Sequence, residues 1–302
     1  MKPVLPERIV CLTEETTETL YLLGEEHRIV GISGFTVRPA RARKEKPKVS
    51  AFTSAKIDKI LALEPDLVLG FSDLQADIAA ELIRAGLPVH VFNHRSVAEI
   101  LGMIRTVGAL VGAEAKADSL IADLSAGVEA VRQANADLPK PRVLFEEWDE
   151  PLITGIGWVS ELIGIAGGEE CFPELAGKSL AKDRIVADRD EVIRRQPDII
   201  IGSWCGKRFR PEQVAERPGW QTIPAVANHC LYEIKSCDIL QPGPAALTDG
   251  LRQLAMLIRS WAEKNKNDHG RHHCPCINSR HLAGRAAPRP PVDSLRPCRQ
   301  MA

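Results

Sequence analysis

The sequence predicts an α/β protein made of two doubly wound lobes joined by a long rigid helix, with a ligand cleft between the lobes. Three observations carry this expectation. Residues Ile57–Gly70 are echoed 132 positions later by Arg189–Gly202. Each copy runs from a helical stretch through Pro-Asp (Pro65-Asp66 and Pro197-Asp198) into three branched aliphatic residues and a glycine. Proline stops a helix, and a short unbroken apolar run suits a strand covered on both faces. The second observation is a strand–helix rhythm on either side of the middle, which implies mostly parallel sheets. The third is a segment between the halves that alternates with nothing. Two Rossmann-like lobes are the simplest architecture that satisfies all three.

Element by element, the first lobe (1–112) reads as strands at Arg8–Leu12, Ile29–Ile32, Leu67–Gly70 and Val89–Phe92. Helices are expected near Thr16–Gly24, Ala55–Leu63, Gln75–Ala85 and Val97–Val111. The connector (113–138) holds Ala117, Leu120, Ile121, Leu124, Val128 and Val131 at helical spacing, with no proline before Pro139. A straight helix of about 24 residues would reach about 36 Å; the alternative is two helices broken at Gly127. In the second lobe (139–264) the strands are Arg142–Glu146, Ile199–Gly202 and Leu231–Ile234. Its helices are Val159–Ala166, Glu191–Arg195 and Ala245–Trp261, the last with Leu247, Leu251, Leu254, Ile258 and Trp261 on one face.

From Asn265 the apolar periodicity stops, and residues 265–302 are expected to be a disordered basic tail. The tail holds seven Lys/Arg against two Asp/Glu, so of the 39 basic and 40 acidic residues the first 264 positions keep 32 and 38. An acidic body argues against nucleic acid as a partner. His269, His272, His273, Cys274, Cys276 and His281 crowd the tail without the spacing of a closed zinc site, so no metal site is assigned. The eight cysteines form no CxxC pair and read as scattered reduced thiols. No apolar run approaches a membrane span, and the first residues lack a secretion signal in the sequence as it stands. There is no nucleophile elbow, Walker loop or His-Glu-x-x-His, so neither an enzyme nor a cofactor is expected.

Arg8–Leu12 with Thr17-Glu18 and Leu22-Leu23-Gly24 resembles the opening of the iron-complex/vitamin B12 substrate-binding proteins of ABC importers. Pro65–Leu69 followed by Gly86–Val89 resembles that family's next signature, and Glu161–Ile163 through Gly167-Gly168 with Pro197–Ile201 matches its second lobe. The resemblance covers residues 8 to about 262 and implies a monomeric carrier. Such a carrier captures a corrinoid, haem or ferric siderophore between its lobes and delivers it to an importer permease. It also implies a periplasmic location, in tension with the missing signal. A cytoplasmic corrinoid carrier or sensor, or a chelatase-like enzyme on the same scaffold, is the alternative.

Ligands of open parallel sheets sit beyond the carboxyl ends of the strands. The residues there are Glu14, Phe35, Arg38, Phe71 and His94 in the first lobe and Trp148, Trp204, Lys207 and Arg208 in the second. Tryptophan at a strand end offers a broad face to a flat ring. Arg38, Arg95, Lys207 and Arg208 suit carboxylate, amide or phosphate groups at its rim. His94 is a candidate axial ligand to cobalt or iron. Asp58 and Asp190 stand at equivalent helix starts in the two repeats, where an acid complements the helix dipole and can cap free N–H groups. The family resemblance gives the pair a second role, docking onto arginines of a two-fold permease.

Overall fold

A computed structural model describes residues 4–271, with side chains up to residue 266. The first lobe runs β1 (Ile9–Cys11), α1 (Glu14–Leu22), β2 (Ile29–Ser33), α2 (Ala42–Glu45), β3 (Lys48–Ser50), α3 (Ile57–Leu61), β4 (Leu67–Phe71), α4 (Ala76–Arg84), β5 (Val89–Phe92) and α5 (Val97–Leu110). Its sheet is parallel throughout, in the order β3-β2-β1-β4-β5. Alternate residues of its central strands feed opposite layers. Ile9, Cys11 and Leu69 face a large core with α1 and α5. Val10, Leu12 and Val68 face a smaller one with Ile60 of α3 and Ile78 and Leu82 of α4.

The connector is one helix, α6 (Glu114–Asn135), and it passes Gly127 unbroken. At 22 residues it spans about 33 Å. Its final residue locks it to the second lobe: Asn135 donates to the Ala166 carbonyl (2.7 Å) and accepts from Arg259 (2.8 Å).

The second lobe contains β6 (Arg142–Asp149), β7 (Leu152–Thr154), α7 (Gly157–Ile165), β8 (Glu169–Glu170), α8 (Pro173–Ala176), α9 (Asp190–Arg195), β9 (Ile199–Gly202), α10 (Pro211–Ala215), α11 (Pro224–Ala227), β10 (Leu231–Glu233) and α12 (Ser236–Ile239). A π turn at Ala246–Gly250 leads into α13 (Leu251–Arg271). The sheet order is β10-β9-β6-β7, parallel except for the β6–β7 hairpin, and β8 pairs with the start of β6. The repeat seen in the sequence is thus α3–β4 in one lobe and α9–β9 in the other. A single apolar core runs from the first sheet through α5, α6, α7 and α13 to the second. The lobes therefore share packing as well as a covalent link.

Three expectations change. α1 starts at Glu14 rather than Thr16, because Thr13 is already extended and takes the N-cap position. Short strands β3, β7 and β8 add to both sheets where the sequence pattern gives no element. The last helix continues past Asn265 to Arg271, so ordered structure extends into the segment read as tail. The His/Cys tract from His272 onward lies outside the described residues, as does the side chain of His269. Among the described residues no helix is long and apolar enough to cross a membrane.

Candidate functional site

In the first sheet, β1 and β4 are neighbours whose chains leave in opposite directions, the crevice position of doubly wound sheets. Beyond β1, Thr13 donates to the Glu15 carboxylate at 2.5 Å. Glu14 and Glu15 are both buried in the first turn of α1. Burial pushes the Glu14 carboxyl up to about 6 and the Glu15 carboxyl up to about 8.

One turn further, Glu18 accepts from Arg38 Nε (2.9 Å) and from the Ala245 amide (3.1 Å). The same guanidinium reaches Asp249 at 2.7 Å and Asp238 at 3.3 Å. His94 Nε2 stands 2.6 Å from the Pro242 carbonyl, so it carries the proton and donates. Desolvation drops the imidazole to about 4, which keeps the ring neutral. Gly243 lies so close to Glu15 that an added Cβ would come within 2.6 Å of the Glu15 Cβ. The chain from Asp238 to Asp249 is therefore a strap, arriving from the second sheet and stitched to the first lobe by Glu15, Glu18, Arg38 and His94. A cavity of only about 10 Å³ remains among Glu14, Glu18, Val37, Arg38, Cys237 and Gln241. That is room for one water at most.

This placement revises two sequence expectations. Arg38 is committed to three carboxylates of the seam rather than presented at a ligand rim. His94 donates through Nε2 to Pro242, and its Nδ1, which carries the lone pair, is buried without a hydrogen-bond partner, so neither ring nitrogen is open to a metal in the cleft. The physical reason is shared: both face the strap, which lies close in space but more than 140 residues away in sequence.

The aromatic residues divide by lobe. Phe71 at the end of β4 is buried under the Arg95 guanidinium, 4.6 Å above its ring, with His94 edge-on at 5.0 Å. Arg95 is held there by the His94 carbonyl (3.0 Å) and Ser72 Oγ (3.3 Å). Phe35 is exposed. Opposite, Trp148 near the end of β6 donates to the Glu150 carbonyl at 2.9 Å. Trp204, just after β9, packs edge-on against Phe209 at 4.9 Å and donates to Glu146 at 3.3 Å. Only 3% of Trp204 is exposed, and Lys207 lies over it. The Lys207 ammonium sits 4.4 Å from the Trp148 ring centre and 5.0 Å from that of Trp204, and pairs with Asp149 at 2.5 Å. Arg208 is exposed. Beneath Trp204, the fully buried Glu146 is gripped by both terminal nitrogens of Arg217 at 2.5 and 3.1 Å. Burial pushes the Glu146 carboxyl up, and the Arg217 charge opposes that shift.

Two features had no sequence signal. Arg184, 2% exposed, forks onto Glu147 at 2.6 and 3.2 Å and also donates to the Thr154 carbonyl. A lone arginine in a stretch without periodicity gives no warning of this. The second is a cavity of about 310 Å³ where the starts of α5 and α7 meet, lined by residues that include Arg95, Ser96, Ser160 and Lys178. The lobes touch beside it, where Glu161 accepts from the Val97 amide at 2.9 Å.

Asp58 and Asp190 are both exposed, in α3 and α9. Neither Asp58 nor Asp190 caps its helix through its side chain, and in α9 it is Asp188 that accepts from the Asp190 amide, at 2.9 Å. Each helix precedes its strand in a parallel crossover, which puts its start at the carboxyl end of the sheet, the cleft end.

Residues 9–237 match the family model described as periplasmic binding protein. The chain is 26% identical over 263 residues to an ABC transporter substrate-binding lipoprotein of Bacillus subtilis, an alignment covering 84% of this chain and 80% of that one. It is 25% identical over 245 residues to a vitamin B12-binding protein of Vibrio parahaemolyticus, covering 80% and 86%. A solved periplasmic haem-binding protein of Roseiflexus shares the fold with a TM-score of 0.70 at 24% identity, over 83% of this chain and 99% of that one. With the paired sheets, the single connecting helix and the family model spanning most of its length, the chain belongs to the periplasmic binding protein family.

Proposed function

We propose that this protein captures a flat metal chelate, a corrinoid in particular, between its lobes and delivers it to the permease of an ABC importer. The family is one of binding proteins, and the chain is a carrier rather than an enzyme. The observation that carries the ligand reading is a pair of aromatic groups at strand ends of opposite lobes, Phe71 in one and Trp148 with Trp204 in the other. Aromatic faces on two sides suit a broad, flat, partly apolar ligand. Relatives named as vitamin B12-binding proteins support a corrinoid. Arg95, Arg208 and Glu14 are the polar groups assigned to its rim. The burial of both His94 ring nitrogens, Nε2 against Pro242 and Nδ1 without a partner, counts against haem or cobalt held by that imidazole. Asp58 and Asp190, whose carboxylates pair with nothing among the described residues, are assigned to the permease contact, and the carrier to the extracytoplasmic side.

Titration calorimetry with cyanocobalamin, haemin and ferric siderophores tests the assignment. A corrinoid should bind with Kd below about 10 μM, which is worth about 7 kcal/mol. If haemin or a siderophore binds and no corrinoid does, the ligand class is wrong.

A further inference from the structure

In the second lobe the aromatic faces are not empty. The Lys207 ammonium covers Trp148 and Trp204 together and is tethered to Asp149. A ring stacking on these tryptophans and this ammonium compete for one place. We propose that Lys207 is a built-in occupant of the binding wall, a gate that leaves the tryptophans when ligand enters rather than a rim contact that holds it. The proposal rests on the ligand reading above and adds the residue that sets its affinity.

Three features make the contact displaceable. The Lys207 side chain is 41% exposed, so a path to water is open. Among the described residues it has a single ion-pair partner, Asp149, so one carboxylate alone tethers the ammonium. The residue also lies in an exposed stretch, Cys205–Arg208, that includes Gly206 at φ +79°, a left-handed turn favouring glycine. Arg95 over Phe71 is different. It is 18% exposed and tied to the His94 carbonyl and to Ser72 on the rigid end of β4. One wall therefore carries a fixed cation and the other a movable one. When Lys207 leaves, Asp149 loses its partner and becomes an acceptor for amide N–H groups on the incoming ligand.

The gate and the rim contact predict opposite signs. Lys207→Ala should bind cyanocobalamin about three- to tenfold more tightly than the wild type, since a cation–π and ion-pair contact no longer has to be broken. Asp149→Asn should shift affinity in the same direction by less. Acylation of Lys207 by an amine-reactive reagent, followed by peptide mass spectrometry, should speed up when cyanocobalamin is added. Weaker binding by Lys207→Ala, or protection of Lys207 on ligand addition, overturns the gate. A ligand-free arm separates this from the ligand reading: acrylamide should quench tryptophan fluorescence more strongly in Lys207→Ala than in the wild type. Unchanged quenching overturns the covering role itself. If quenching rises while neither protein binds a corrinoid, the gate over the tryptophans stands and the corrinoid reading falls.

Discussion

At the scale of single residues, two titratable groups of the seam, Glu15 and His94, carry shifts that oppose one another. Glu15 keeps its proton up to about pH 8 in the native state, while an unfolded carboxyl loses it near 4.5. The native state thus binds the extra proton across that window, and this term lowers stability as pH rises through it. His94 is held to about 4 against an ordinary 6.5, so its term raises stability with pH between those values. Of these two, only the Glu15 term remains above pH 6.5, and buried Glu170, pushed up to about 8, adds a term of the same sign. Glu15→Gln should therefore unfold at a higher temperature than the wild type at pH 8, with the gap closing toward pH 5 in thermal scans. A gap independent of pH would mean that Glu15 is already ionised in its site. The buried Arg217–Glu146 pair predicts a larger effect. Arg217→Ala strands a carboxylate of 0% exposure and should destabilise by about 3–5 kcal/mol in denaturant titration.

Among elements, the connector helix and the strap make separable predictions. Gly127 lies within α6 with nothing inside 4 Å of the place a Cβ would take. Gly127→Ala should stabilise the protein by about 0.5–1 kcal/mol without touching ligand affinity. Gly243→Ala should do the reverse. Its Cβ collides with Glu15, so the strap must lift from α1, and unfolding should come at lower denaturant concentration. These elements also mark what was legible in the sequence. α6 was legible because its apolar stripe is local and long, and β4 and β9 because each is an unbroken apolar run after Pro-Asp. Strand β3 was not, since Lys48–Ser50 offers one apolar residue, Val49, behind a charged stretch. The strap escaped notice for another reason. Arg38 meets Glu18, Asp238 and Asp249, and no local pattern links positions so far apart. Glu14, Phe71, His94 and Trp204 lie at or just past strand ends, whereas Trp148 falls inside β6, which runs on to Asp149. Which of them face the other lobe, as His94 does, is decided by that long-range packing.

For the molecule as a whole, a core continuous through α5, α6, α7 and α13 implies that the lobes melt together. The two acids of the internal repeat belong to this scale as well. Reversing the charge of Asp58 and Asp190 together should leave stability and ligand affinity unchanged while abolishing uptake in cells that depend on this carrier. Normal uptake would remove both from the permease contact. The central claim is that a flat ring is held between Phe71 under its Arg95 cap in one lobe and the tryptophans of the other. Cyanocobalamin titration of the wild type, Phe71→Ala, Trp204→Ala and the double variant tests it most directly. Each single change should weaken binding by more than about 1 kcal/mol, and the double change by more than either alone. Affinity unaltered by either substitution would contradict the account.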